Sequence, residues 1–174
     1  MSLYFIACGS NLSPQINVPQ ALELLSQTFR PLHVSRMLET KPVGMATRNN
    51  FYNFCIAFES SLTPSELKRQ LNKIEIIMGR DRKDENRSEK DRPMDLDIAY
   101  RTDAANPTLP PMDFEIEPWV RPLLDDLFQY VGLLAESPTL KQEFLREVVV
   151  ENTKVGQRPT TLPSNAPDFS ETDE

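Results

Sequence analysis

The sequence predicts an α+β domain in which elements follow one another as strand–helix–strand–strand–helix–strand. Apolar runs of strand length occupy residues 3–9, 51–61 and 93–100, each bounded by turn or breaker residues. Between them, residues 14–29 and 64–78 carry apolar side chains at helical spacing. The 174 residues are enough for one domain with a substantial core. This order is that of a ferredoxin-like sandwich: a mainly antiparallel sheet with helices on one face, here extended by further C-terminal helices.

The first run, "LYFIACG", ends at Gly9, Ser10 and Asn11 and reads as a central strand followed by a turn. Ile16, Val18, Ala21, Leu22, Leu24, Leu25 and Phe29 then mark one side of a helix. "LHVSRMLETKPVG", residues 32–44, reads as extended and closes in a Pro-Gly region. "FYNFCIAFESS" is an aromatic-rich strand. The next helix has a full start signal: Thr63 as N-cap, Pro64 at the first helical position and Glu66 three residues after the cap. Leu67, Leu71, Ile74 and Met78 give it an apolar stripe, and Gly79 ends it. A charged loop leads into "PMDLDIAY", whose Leu96 and Ile98 face one way and Asp95 and Asp97 the other. After a Pro-rich connection, helices are expected over 120–134 and 139–150. Residues 1–151 form the expected single domain, and 152–174 have the composition of an extended or mobile tail.

Composition narrows the function. No apolar run approaches the roughly 20 residues of a membrane span, and the N-terminus has no export signal, so a soluble cytoplasmic protein is expected. Cys8 and Cys55 lie in apolar runs and read as reduced core thiols. A net charge of -7 opposes sequence-independent nucleic-acid binding. The sole histidine, His33, leaves histidine-based metal sites and catalytic triads with little support. There is neither a P-loop nor a kinase Gly-rich loop.

The strongest chemical signal lies in "RDRKDENRSEKDRPMDLDIAY", residues 80–100. Residues i and i+2 of a strand project the same way with Cα atoms about 6.5–7 Å apart. Carboxylates converging to about 5 Å repel by about 3 kcal/mol at an effective dielectric near 20. Water relieves this on a solvated face; alternatively, magnesium with phosphate oxygens does so. Arg80, Arg82 and Arg92 lie just upstream, and forked guanidinium contacts suit a polyphosphate. The loop reads either as a salt-bridged exposed segment or as a lid.

The motifs "IACGSNL", "ETKPVG", N-x-x-x-x-x-E-(S/T)-x-L-x-P from Asn53, I-E-x-x-x-G-R-x-R from Ile74 and R-x-x-D-L-D-I from Arg92 occur in this order. Together they resemble the 6-hydroxymethyl-7,8-dihydropterin pyrophosphokinases of folate biosynthesis over residues 3–128, most strongly over 51–100. The resemblance implies a ferredoxin-like fold and transfer of the β,γ-pyrophosphoryl group of ATP to the pterin hydroxymethyl oxygen, releasing AMP with two Mg2+ ions. It implies that Asp95 and Asp97 bind metal, and that Arg80, Arg82 and Arg92 serve the chemistry. Asn72, Glu75, Arg82, Arg92, Ile98 and Thr108 fall on nucleotide positions. Thr40, Pro42, Val43, Gly44, Phe51, Asn53 and Trp119 fall on pterin positions. The bland alternative for Phe51, Tyr52 and Phe54 is the core, and for Asn53 a turn or cap.

The chain departs from the family pattern after residue 100. Pro111 stands in place of a phosphate-contacting histidine and Glu117 near the place of an arginine. Losing one such charge-assisted contact costs about 1.5–3 kcal/mol, or one to two decades in affinity or rate. The expected partners are therefore small molecules, ATP and the pterin, bound by a monomer without nucleic acid or membrane. Two alternatives stand beside the transferase: a divergent member that binds ligand without the transfer, and a ferredoxin-like module binding RNA or protein.

Overall fold

The computed structural model describes residues 1–81, 83–86 and 90–163. Its elements in chain order are strands and helices β1 (Ser2–Ser10), α1 (Pro14–Thr28), β2 (Leu32–Val34), β3 (Leu38–Thr40) and β4 (Phe51–Ser60). Then come α2 (Pro64–Ile77), β5 (Asp95–Asp103), α3 (Arg121–Tyr130), β6 (Val148–Val150), β7 (Thr153–Val155) and β8 (Thr160–Leu162). Among the described residues the main sheet runs β5-β1-β4-β2-β8, with β3 also paired to β4. Every pairing is antiparallel. With β2 and β3 taken as one interrupted strand, the first four strands lie in the ferredoxin-like order.

Period-two alternation in β1 and β4 divides the core between the two sheet faces. Tyr4, Ile6, Cys8, Phe54, Ile56 and Phe58 pack with Val18, Leu22 and Leu25 of α1 and Leu67, Leu71 and Ile74 of α2. Leu3, Phe5, Cys55 and Ala57 face the other way, onto Leu123, Leu124, Leu127 and Phe128 of α3. The two thiols are buried, free and on opposite faces. The α2 start is a complete capping box: Thr63 Oγ1 accepts from Glu66 N, and Thr63 N donates to Glu66 Oε2. No helix among the described residues is long and apolar enough to cross a membrane.

Two expectations for the C-terminal third are corrected. The helix expected over 139–150 is instead a 3₁₀ turn at Gln142–Phe144 followed by β6. Three consecutive valines favour an extended chain, and Glu151 and Asn152 (φ 47° and 66°) make the two-residue loop of a hairpin to β7. The boundary expected at 152 therefore falls inside that hairpin. Val155 and Leu162 are buried, and β8 pairs with β2, so packing continues to Leu162. Residues 164–174 lie outside the described residues.

His33 sits where β2 meets β8, with Nδ1 2.9 Å from Thr161 Oγ1 and its ring edge-on to Tyr130. Burial lowers its pKa from 6.5, against a smaller opposing pull from Glu59. The unfolded chain thus takes up this proton first, and stability is lost as pH falls through 6.5 toward the folded-state value. The lone imidazole should titrate below 6.5 by NMR, and His33→Gln should flatten the acid-side decline in thermal midpoint. A titration at or above 6.5 in the folded protein contradicts this assignment.

Candidate active site

Antiparallel pairing places the candidate site side chains on one face, because directly opposed residues project together. Gly9 lies opposite both Asn53 and Asp95, Ala7 opposite Cys55 and Asp97, and Thr40 opposite Phe51. This is the α3 face of the sheet. Tyr52 and Phe54 alternate to the other side and are buried in the core; Phe51 and Asn53 line a cavity of about 680 Å³, whose lining also takes in Phe54. A bulge in the β1–β5 pairing makes Ile6 face Ile98 and Phe5 face Tyr100, leaving Ala99 as the extra residue. Asp95 and Asp97 precede the bulge, so they open into the cavity while Tyr100 returns to the core beside Phe5 and Phe128.

β5 is an edge strand, and α2 reaches around that edge. The outward N–H of Leu96 donates to Glu75 Oε1 at 2.9 Å, and its carbonyl accepts from Lys68 Nζ at 3.2 Å. Lys68 Nζ also lies 3.1 Å from Asp97 Oδ1. Arg80 Nη1 contacts Asp95 Oδ1 at 2.7 Å and Glu75 Oε2 at 3.2 Å. Arg92 Nη1 takes the other Asp95 oxygen at 2.7 Å. Burial pushes the Glu75 pKa up, opposed by the Leu96 N–H and Arg80. Burial alone would lower the Arg80 pKa; Asp95 and Glu75 outweigh it and hold it raised.

The opposite wall of the cavity is formed by Thr40, Val43, Gly44, Phe51 and Asn53, with Trp119, Val120 and Leu123 from the α3 side. Asn53 Nδ2 donates to Thr40 Oγ1, which fixes the amide's orientation. Gly9 leaves the space for it. A Cβ there would lie 2.7 Å from Asn53 Oδ1 and 3.4 Å from Phe51 Cδ1.

Of the residues expected at the site, Thr40, Val43, Gly44, Phe51, Asn53, Arg92, Asp95, Asp97, Ile98 and Trp119 share this cavity. Arg80 joins it through Asp95. Glu75 is fully buried behind the strand, where it holds Arg80 and the Leu96 amide. Asn72 stands on α2 with a buried Oδ1 that has no hydrogen-bond partner, and is not on the cavity wall. Pro42 is also off the wall, although its neighbours Lys41 and Val43 are on it. Thr108 lies away from it, its carbonyl accepting from Tyr100 OH and its N–H bonded to Thr102 Oγ1. Arg82 lies outside the described residues. Of the departures, Glu117 lines the cavity with Glu115, whereas Pro111 does not. Arg121 pairs with Asp125 on α3 and does not replace the missing arginine there.

Three contributors were not legible in the spacing. Buried Asn11 pins the end of the charged loop: its Nδ2 donates to Asp91 Oδ1, its Oδ1 accepts from Arg92 N, and its own N–H donates to Arg92 O. Asn49 bonds the other Asp91 oxygen, tying the loop after β3 to the same point. Lys68 is the third, reaching β5 from α2. Only the Gly-Ser-Asn turn and the length of Lys68 hint at these roles in the sequence.

The carboxylates offer hard oxygen ligands. Asp97 is mostly exposed, with 61% of its side chain accessible, while Asp95 is enclosed by two arginines. Among the described residues no group of three or more His, Cys, Asp or Glu forms a metal cage. Magnesium does not need one, since it is commonly held by one or two carboxylates with water and phosphate oxygens completing its shell. The donor set fits that mode, and the arginines suit phosphate oxygens.

Comparison with known proteins points to one family. The sequence model of the 7,8-dihydro-6-hydroxymethylpterin-pyrophosphokinase family matches residues 5–129. A Porphyromonas gingivalis protein named 2-amino-4-hydroxy-6-hydroxymethyldihydropteridine pyrophosphokinase is 29% identical over 140 residues, covering 70% of this chain and 95% of that one. The Bacillus subtilis protein of the same name is 34% identical over 84 residues, 47% of this chain and 50% of its own. The mitochondrial folate synthesis bifunctional protein of Pisum sativum is 32% identical over 99 residues, 55% of this chain and 18% of its own.

Proposed function

The chain belongs to the 7,8-dihydro-6-hydroxymethylpterin-pyrophosphokinase family, and on that premise we propose that it transfers pyrophosphate from ATP to 6-hydroxymethyl-7,8-dihydropterin, releasing AMP, as a cytoplasmic monomer in folate synthesis. The observation that carries this reading is one cavity holding both the Asp95–Asp97 pair and the Thr40–Phe51–Asn53 wall. Two buried reduced thiols fit a reducing compartment.

In this reading the heterocycle lies along Phe51 and Trp119. The Asn53 amide, whose Nδ2 points to Thr40, presents its Oδ1 to a ring N–H. Asp95 and Asp97 would hold two Mg2+ ions, which would supply charge neutralisation to the polyphosphate. Arg80 and Arg92 exchange part of their hold on Asp95 for phosphate oxygens, and Asn11 keeps the Arg92 backbone in place. The hydroxymethyl oxygen attacks the β-phosphorus, and the bond from that phosphorus to the α,β-bridging oxygen breaks. AMP leaves with the bridging oxygen, and the hydroxyl proton passes to water. Positioning and electrostatics supply most of the acceleration, as in phosphoryl transfer generally.

The test is AMP formation from ATP and Mg2+ with and without the dihydropterin. Pterin-dependent AMP supports the proposal. A folded chain that binds pterin without forming AMP supports a second reading, a member that has lost the transfer step. Glu115 and Glu117 on the cavity wall favour that second reading, since they add negative charge beside a polyphosphate.

Gly9→Ala provides a separate check on the pterin wall. The added methyl meets the movable end of Asn53, so the fold should survive while the amide is displaced. The KM for pterin should rise about tenfold, the worth of roughly one hydrogen bond, with the KM for ATP nearly unchanged. An unchanged pterin KM places the heterocycle elsewhere.

A further inference from the structure

The region matched by the family ends at residue 129, yet the chain after it grips the strand that leads into the cavity wall. Met37, just before β3, is fully buried; its N–H donates to Gly156 O at 2.9 Å and its carbonyl accepts from Arg146 N at 2.9 Å. One residue on, Leu38 makes an isolated bridge with Leu145 while pairing with Asn53 of β4 on its other side. The next residue, Glu39, receives Arg146 Nη2 on Oε2 at 2.6 Å. The following residue is Thr40, whose hydroxyl accepts from the Asn53 amide.

The guanidinium of Arg146 is itself held. Its Nη1 donates to the carbonyls of Glu143 and Leu145, 2.9 and 2.8 Å away. A Cβ at position 156 would lie 2.0 Å from Arg146 O, and Gly156 adopts φ +119°, so glycine there lets the segments before and after the hairpin close on each other. The result is a short strand, β3, paired on one side with β4 and held at its start on the other by Leu145, Arg146 and Gly156, which flank the β6–β7 hairpin. A three-residue strand has little register stability of its own, and its outer partner sets where Thr40 comes to rest.

We propose that Arg146 is a positioning residue for the heterocyclic substrate: through Glu39 it sets Thr40 and hence the Asn53 amide on the cavity wall. The inference deepens the pterin reading given above and rests on it for the identity of the ligand. It gives the segment after residue 129 a part in substrate affinity, although that segment contributes no residue to the cavity.

The test uses the full chain with Arg146→Ala, Glu39→Gln and the exchanged pair Arg146→Glu with Glu39→Arg. The first readout needs no ligand: the side-chain amide signals of Asn53 in a ¹⁵N-labelled protein, assigned by their loss in Asn53→Ala. The second is the dissociation constant of 6-hydroxymethylpterin by fluorescence, and the third is the division of effect between kcat and the two KM values. Each single variant should move the Asn53 signals and weaken pterin binding by about tenfold, the scale of one lost hydrogen bond. Saturated kcat and the KM for ATP should stay within about twofold, as for an interaction that aids ground-state binding alone. The exchanged pair should return the signals and most of the affinity. Asn53 signals unmoved in both single variants, or moved with pterin affinity unchanged, overturn the proposal. If the native chain binds no pterin, the functional reading fails, while the Asn53 signals still decide whether Arg146 sets the wall.

Discussion

Asp97→Asn is expected to lower pterin-dependent AMP formation by about 100-fold or more while leaving the fold intact, the scale seen when one preorganised electrostatic group is removed. Most of the Asp97 side chain is accessible, and it pairs with Lys68 at 3.1 Å, itself 39% exposed. A pair so open to water contributes only about 0–1 kcal/mol, so the thermal midpoint should change by no more than about 4 °C. Catalysis is different under the proposed function, in which the carboxylate would hold Mg2+ where polyphosphate charge collects. Asp95→Asn should lose activity to the same degree and stability as well. Arg80 and Arg92 each meet an Asp95 oxygen at 2.7 Å, and an amide gives one of them a donor instead of an acceptor. The contrast is the decisive part: turnover lost in both variants, with stability lost mainly in Asp95→Asn. An Asp97→Asn enzyme that keeps a third or more of native turnover removes Asp97 from the metal site.

Local rules made much of this arrangement legible. For Phe51, Tyr52 and Phe54 the sequence left core and site both open; along β4 the structure buries Tyr52 and Phe54 and leaves Phe51 and Asn53 part-buried on the cavity side. The Thr63–Glu66 capping box fixed the start of α2, and D-x-D fixed a shared direction for Asp95 and Asp97. Legibility failed where the physics is long-range. The resemblance puts Glu75 on a nucleotide position, and in the structure its carboxylate is buried, bonded to the Leu96 amide and Arg80. Thr108, likewise a nucleotide position only through the resemblance, has its backbone bonded to Tyr100 and Thr102 in the turn after β5. For the segment 139–150, apolar spacing competed with the β preference of Val148, Val149 and Val150; hairpin pairing with β7 decided in favour of strand.

The second large effect concerns how α3 is held against the sheet, because Val120 and Leu123 at its start line the cavity. Asp126 on α3 is fully buried and ties that helix to the break between β2 and β3. Its Oδ2 accepts from Arg36 N at 2.8 Å, and its Oδ1 from Arg36 Nε and Nη2 at 3.0 and 2.7 Å. Arg36 Nη2 also reaches the carbonyl of Pro138 at 2.8 Å. Asp126→Ala removes the carboxylate, leaving a backbone N–H without its acceptor and a largely buried guanidinium with only the Pro138 carbonyl. The expected loss is about 3–5 kcal/mol, the range for one partner removed from a buried ion pair. For a chain of this size that is on the order of 10 °C in thermal midpoint. The double variant Arg36→Met with Asp126→Leu should be less harmed than Asp126→Ala, since both desolvated charges go together. If the double variant is as stable as the native protein yet binds pterin more weakly, the pair serves to orient α3 rather than to hold the fold together. If Asp126→Ala costs less than about 1 kcal/mol, water reaches Arg36 and this junction is looser than its hydrogen bonds imply.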